Sequence, residues 1–324
     1  MSMPKQMEGF WIQDAAIVDF ETLAFACSVS PDHPEAENQI TPGRLLSFNM
    51  TTGEWGYMTY SPFDSPKVVG GQIAGAAKEA LFVSGAGHVA KFGYAKGESG
   101  LEPDNIFGAR GSTRALAYID GAYYSGGGDA RLSRRTETGA WETLHRLGHS
   151  LDNPRFWYMV GQSQDLIYLA GPKGVHLWDG QNLIKQVMPD AVMNRDMFAP
   201  FHPIGMAQAP DGRVFIAGRD GDLVVGDATS GWAPVVEAKH AGPHAPKKIA
   251  WFNGALWGLN ATSTVELGDV GWHPRAFPQD KNRPVFHTHL ASGHGWFLVC
   301  GYQDAAIFDG TRWYRLFGSE ASDE

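Results

Sequence analysis

The chain is written in short apolar segments rather than long periodic ones. Residues 203–237 show the pattern best, because Asp211-Gly212, Asp220-Gly221 and Ser230-Gly231 cut the stretch into four apolar runs. Runs of that length between Gly/Asp turns predict four antiparallel strands joined by tight hairpins. No segment carries the 3.6-residue period of a long amphipathic helix.

The unit recurs. Second strands that close on glycine read as residues 80–85, 122–126, 166–171, 213–218, 255–258 and 296–301. Their closing glycines are Gly85, Gly126, Gly171, Gly218, Gly258 and Gly301, spaced 41, 45, 47, 40 and 43 residues apart. A period of about 43 residues fits a four-stranded propeller blade. A more divergent copy stands at the front, with strands expected at Ala15–Phe20, Leu23–Cys27, Arg44–Met50 and Trp55–Tyr60. The expected fold is all-β, a seven-bladed β-propeller of four-stranded antiparallel blades. The degenerate first copy leaves six or eight blades open, since residues 7–14 could add a strand. Residues 1–14 are expected to form an N-terminal extension, 15–318 a single propeller domain, and 319–324 a disordered acidic tail.

A second marker supports this register. The turn before the fourth strand reads Thr51-Thr52-Gly53-Glu54-Trp55, Thr138-Gly139-Ala140-Trp141, Thr229-Ser230-Gly231-Trp232 and Asp309-Gly310-Thr311-Arg312-Trp313. Glycine supplies a positive φ, and Asp or Thr side chains hydrogen-bond nearby backbone N–H groups. The Trp opens the outer strand, where a large ring covers the gap to the next blade. These turns resemble the Asp-box, Ser-x-Asp-x-Gly-x-x-Trp, of sialidase-like propellers. They are also similar to the repeats of regulator-type and photosystem-assembly-factor-type propellers. The resemblance implies a fold and not a site, because Asp-box turns lie away from any active site. WD-repeat identity is not supported, since Trp178-Asp179 occurs once and no Gly-His pair stands at that family's spacing before it.

Composition narrows the partner classes. The net charge is −9, from 35 acids and 26 bases, so no clustered cations offer a phosphate-binding surface and nucleic acid is not expected as a partner. The densest basic stretch, Arg131-Leu-Ser-Arg134-Arg135, is expected on a solvated strand and turn. No run approaches the roughly 20 apolar residues of a membrane span, and no basic-then-apolar leader is visible. A cytoplasmic location and no membrane contact are therefore expected. Cys27 and Cys300 end equivalent second strands in the first and last blades. Stacked sheets lie about 10 Å apart, beyond disulfide reach, so both are expected as small buried hydrophobes.

Candidate chemistry lies in the loops that lead into each first strand and leave each second strand. Seven of the 12 histidines fall in or beside these approach segments: His145, His149, His202, His240, His244, His287 and His289. His202 and His244 each stand ten residues before a turn glycine, Gly212 and Gly254. His287 and His289 alternate on one strand face. With Arg110, Arg155, Arg195, Phe198 and Phe201, the residues His202, His244, His287 and His289 make the expected partner- or ligand-binding set. No metal-ligand spacing, catalytic constellation or cofactor motif appears, so no metal, cofactor or catalytic residue is assigned. The resulting expectation is a non-enzymatic scaffold that binds a protein partner on one face, with a bacterial immunity-type, toxin-neutralising protein as its specific form. The alternative is an enzyme or small-molecule binder at the central mouth, either a sialidase-like hydrolase or a multi-His metal site. A small-molecule ligand therefore stays open.

Overall fold

The computed structural model describes residues 4–34, 36, 41–73, 77–93, 99–106, 112–148, 150, 152–189, 202–237, 244–260, 263–269, 271–275 and 288–318. They form seven antiparallel sheets, each of four consecutive strands, and the fold is a seven-bladed β-propeller. Blade 1 holds β1 (Phe10–Ile17), β2 (Thr22–Val29), β3 (Gly43–Asn49) and β4 (Trp55–Tyr60). Blade 2 holds β5 (Lys67–Gly71), β6 (Glu79–Val83), β7 (His88–Gly93) and β8 (Gly100–Asn105). In blade 3 the strands are β9 (Thr113–Ile119), β10 (Ala122–Gly127), β11 (Leu132–Arg135) and β12 (Trp141–His145). In blade 4 they are β13 (Tyr158–Ser163), β14 (Leu166–Gly171), β15 (Gly174–Trp178) and β16 (Leu183–Lys185). Blade 5 is β17 (Pro203–Gln208), β18 (Val214–Gly218), β19 (Leu223–Asp227) and β20 (Gly231–Val236). Blade 6 is β21 (Lys248–Phe252), β22 (Ala255–Leu259), β23 (Thr264–Gly268) and β24 (Gly271–Pro274). Blade 7 is β25 (His289–Gly293), β26 (Trp296–Cys300), β27 (Ala305–Phe308) and β28 (Trp313–Phe317).

The chain divides into two compact units: Met1–Arg110 with Ala276–Glu324, and Gly111–Arg275. The first carries blades 1, 2 and 7, and the second carries blades 3 to 6. In the first unit, blades 1 and 7 bury Phe25, Leu46, Ile307 and Phe317 in one cluster. Each such side chain contributes about 1.5–3 kcal/mol when fully buried. Backbone and indole bonds join the same two blades, with Ile12 N–H donating to the Tyr302 carbonyl at 2.8 Å and Trp296 Nε1 to the Phe20 carbonyl at 3.1 Å. Cys27 and Cys300 are buried free thiols in that cluster, as expected. In the second unit the first strands stand side by side in the order β9, β13, β17, β21.

Two-residue hairpins follow the turn rule. Asp120-Gly121, Asn253-Gly254 and His294-Gly295 all have positive φ at both positions, the signature of a type I′ turn that matches strand twist. The third turn is built on a side-chain oxygen. Asp227 Oδ1 accepts N–H bonds from Thr229 and Ser230, each at 2.7 Å, and Asp309 Oδ1 accepts them from Thr311 and Arg312. Two of the Asp-box-like Trp positions reach the neighbouring blade. The Trp55 ring lies 5.4 Å from Phe317 of blade 7, and Trp232 lies 5.9 Å from Tyr168 of blade 4.

Two sequence expectations shift. The first strand begins at Phe10, not Ala15, so residues 10–14 complete β1 rather than add a strand. A register shift between Ile12 and Asp14 breaks the alternation that would have marked this segment. The basic stretch is not a solvated face, because Arg131 and Arg135 are 4% and 5% exposed. Arg134 is the outward member and pairs with Glu142 at 2.5 Å. Blade 4 has a further turn of the Asp type, where Asp179 Oδ1 accepts from Gln181 and Asn182 N–H. What reads as a stray Trp-Asp pair is thus a turn cap.

Candidate functional site

Antiparallel pairing puts the start of each first strand beside the end of its second strand. In the second unit this gives the pairs Thr113 with Gly127, Tyr158 with Ala170, Pro203 with Gly218, and Lys248 with Leu259. These four ends lie along one edge of blades 3 to 6. Bonds between adjacent blades fix that alignment: Phe156 N–H donates to the Gly127 carbonyl at 3.0 Å, and Ala130 N–H to the Pro154 carbonyl at 2.9 Å.

Gly127, the last residue of β10, and Gly171, which closes β14, are explained by this edge. A Cβ at Gly171 would collide with the Arg155 carbonyl, and one at Gly127 with the Ser112 carbonyl. Glycine is required where the approach segment crosses the second strand. The loop after β10 is further constrained, with Asp129 and Ala130 both at positive φ (58° and 52°). Such backbone persists only where its surroundings over-determine it, so the edge rests on a rigid base.

On this base stands an aromatic pair. His202, just before β17, meets Trp157, just before β13, edge to face at 4.9 Å. The His202 carbonyl accepts the Arg219 N–H at 2.9 Å, which brings the loop after β18 to the same place. Exposed cations stand at the same strand ends. Arg114, Arg155, Lys173, Arg219 and Lys247 all lie at this edge and are exposed. Among the described residues none of these five has an ion-pair partner, whereas Arg134, Arg146, Arg213 and Arg275 of the same unit each pair with an acid. The opposite end of blades 3 to 6 carries Asp120, Glu137, Asp165, Asp179, Asp211, Asp227 and Asp269 in its turns. Several of those carboxylates are held below the usual range by backbone N–H bonds: Asp179 by Asn182 and Gln181, Asp211 by Arg213, and Asp227 by Ser230 and Thr229. The unit is electrically polar between its two blade ends.

The expected site residues distribute as follows. Arg155 and His202 lie on this edge: the His202 carbonyl accepts the Arg219 N–H, and the Arg155 carbonyl packs against Gly171. His244 is half-buried in the approach to blade 6 but stands four residues before β21, whereas His202 abuts β17. Their equal spacing to a turn glycine arises because the hairpin after β17 is longer than the two-residue turn after β21, and no contact joins the two rings among the described residues. His289 belongs to the first unit, where it opens β25 with Nδ1 at 2.9 Å from Thr288 Oγ1. Arg110, Arg195, Phe198, Phe201 and His287 lie outside the described residues. Among the described residues no group of three or more His, Cys, Asp or Glu is placed to hold a metal ion. The first unit has an aromatic edge of its own, with Trp11 stacked on Tyr302 at 4.4 Å and the Arg44 guanidinium 3.9 Å over Phe10.

Trp157, Arg114, Lys173, Arg219 and Lys247 were not singled out from the sequence as partner-binding residues. Each is one charge or ring in an otherwise ordinary loop. The signal that finds them is blade position: sorting charges by the strand end they occupy reveals the polarity.

No protein-family model matches the chain. It is 26% identical over 325 residues to Immune protein Tsi7 of Pseudomonas aeruginosa, covering 97% of this chain and 100% of that protein. Among solved structures it resembles Saccharomyces cerevisiae Sqt1, with a TM-score of 0.60 at 11% identity over 96% of this chain and 86% of the other. The WD40 β-propeller domain of Doa1 gives a TM-score of 0.59 at 15% identity over 97% and 94%. Among the described residues no helix is long and apolar enough to cross a membrane. The chain is thus a seven-bladed β-propeller, similar along nearly its whole length to a bacterial immune protein.

Proposed function

We propose that this protein is an immunity-type propeller: a non-enzymatic scaffold that binds a toxin protein and neutralises it in the cytoplasm. The single observation that carries the reading is the similarity to Immune protein Tsi7, which spans 97% of this chain and all of that protein rather than one blade. A repeat motif alone would match in pieces. Continuous similarity over all blades supports a shared role as well as a shared fold. The cationic and aromatic edge supports binding, because Trp, Tyr and Arg are the side chains that most often anchor protein interfaces.

The test is neutralisation. When the proteins encoded beside this gene are expressed one by one in bacteria, one is expected to be toxic, growth is expected to recover when the chain is co-expressed with it, and the two are expected to co-purify in a fixed ratio. Continued killing in cells that hold soluble, folded chain in excess would overturn the reading.

A further inference from the structure

We propose that the edge of blades 3 to 6 formed by Arg114, Arg155, Lys173, Arg219 and Lys247 around Trp157 and His202 takes an acidic polypeptide segment of the toxin. The proposal rests on the immunity reading above and names the face and charge of the contact.

Three observations carry it. First, these cations are exposed at one strand end of four adjacent blades and lack acidic partners among the described residues, although the protein as a whole carries a net −9. Clustered like charge without local compensation costs self-repulsion, which a partner of opposite sign relieves. Second, the acids at the opposite end have a local explanation. Asp179, Asp211 and Asp227 bond turn N–H groups, and Asp165 accepts the Ser163 hydroxyl at 2.5 Å. Among the described residues the cations at the proposed edge make no such bonds with their charged heads. Third, the edge is pre-formed. Trp157 and His202 hold each other, and the backbone of Arg155, Gly171 and the Asp129-Ala130 loop is locked by close packing. Among the described residues two exposed acids, Asp152 and Asp220, share the edge, and the exposed charges described there remain positive in balance. The docked segment would lay carboxylates against the guanidinium and ammonium groups and an apolar side chain against Trp157.

The probe is a fluorescent ten-residue poly-glutamate peptide, read by anisotropy at low salt, beside a poly-lysine peptide of equal length. Wild-type protein is expected to bind poly-glutamate, with affinity falling steeply as salt rises past about 0.1 M. The triple variant Arg155→Glu, Lys173→Glu, Arg219→Glu is expected to weaken that binding about tenfold or more, since charge at an interface edge acts chiefly through steering. Glu137→Lys with Asp269→Lys, at the opposite end, is expected to leave it unchanged. The variants sit on exposed loops, and equal thermal melting confirms that each is folded. In the growth assay the triple variant is expected to lose protection while the opposite-end variant keeps it. Poly-glutamate binding that ignores the triple reversal, preference for poly-lysine, or full protection by the triple variant would each sink the proposal. Protection by the triple variant leaves the immunity reading standing. Failure of the wild type to protect removes that reading instead, and the peptide result alone then decides the charge preference of the edge.

Discussion

His176 lies on β15 with 7% of its surface exposed, edge to face with Phe156 at 5.6 Å, and its Nδ1 has no hydrogen-bond partner among the described residues. His145, at the end of β12, likewise leaves Nε2 buried without one. Burial, with Lys185 opposite in the β15–β16 register and His145 nearby, holds the His176 ring down to about 4. An unfolded histidine titrates near 6.5. Between those values the unfolded chain binds more protons than the folded one, so stability is full above about pH 6.5 and falls as pH drops towards 4. The full effect is on the order of 3 kcal/mol. Denaturant unfolding of wild type and His176→Phe at pH 7.5 and 4.5 isolates it. The variant is expected to sit within about 1 kcal/mol of wild type at pH 7.5 and to lose about 2 kcal/mol less on acidification. Equal losses in the two proteins would show that His176 is not the acid-sensitive group. Gly171 gives a second test at this scale. Gly171→Ala must push the Arg155 carbonyl aside, so a cost of about 2 kcal/mol or more is expected, read as a lower melting temperature.

At the scale of the element, the third turn of a blade is a small hydrogen-bonding device. Asp227 Oδ1 takes two N–H groups that the turn leaves over, and the Ala228 N–H is taken by the Tyr168 hydroxyl of blade 4 at 2.8 Å. Asp227→Ala is expected to cost about 1–2 kcal/mol and Tyr168→Phe about 1 kcal/mol. The Asp227→Ala loss should appear as faster amide hydrogen exchange at residues 228–230, with the rest of the blade unaffected. Exchange that rises evenly over blades 4 and 5 would instead make the turn part of a larger cooperative unit. These elements were readable in the sequence because turn chemistry is local: Gly212, Gly221 and Gly231 mark their own bends, all at positive φ. The same locality explains the failures. The bulge at Ile12–Asp14 hides a strand whose alternation changes phase midway, and Asp179 was masked by the Trp before it. Arg131 and Arg135 look solvated in a linear string, because only the packing of β11 between its neighbours shows that they are buried.

At the scale of the whole molecule, the net charge of −9 conceals the feature on which the function reading leans. The cations of one blade end and the acids of the other are interleaved along the chain, as Arg155, Asp165, Lys173 and Asp179 show. Folding sorts them to opposite ends of blades 3 to 6. His202 and Arg155 were found because approach loops were searched, and Lys173, Arg219 and Lys247 were missed because nothing in the linear order joins them. The first unit shows a second long-range consequence. Cys27 of β2 and Cys300 of β26 come from opposite ends of the chain, yet both lie fully buried in the core shared by blades 1 and 7. Desolvation raises both thiols well above the ordinary range, so neither is a thiolate in the folded state. A thiol-specific reagent is therefore expected to label neither cysteine under native conditions. In mild denaturant the two should become reactive together, because exposing either one requires separating the same packed faces. Labelling followed site by site, by mass spectrometry of the digested protein, checks this. If Cys300 reacts at a lower denaturant concentration than Cys27, blade 7 opens independently of blade 1, and the chain ends are not locked into one cooperative core.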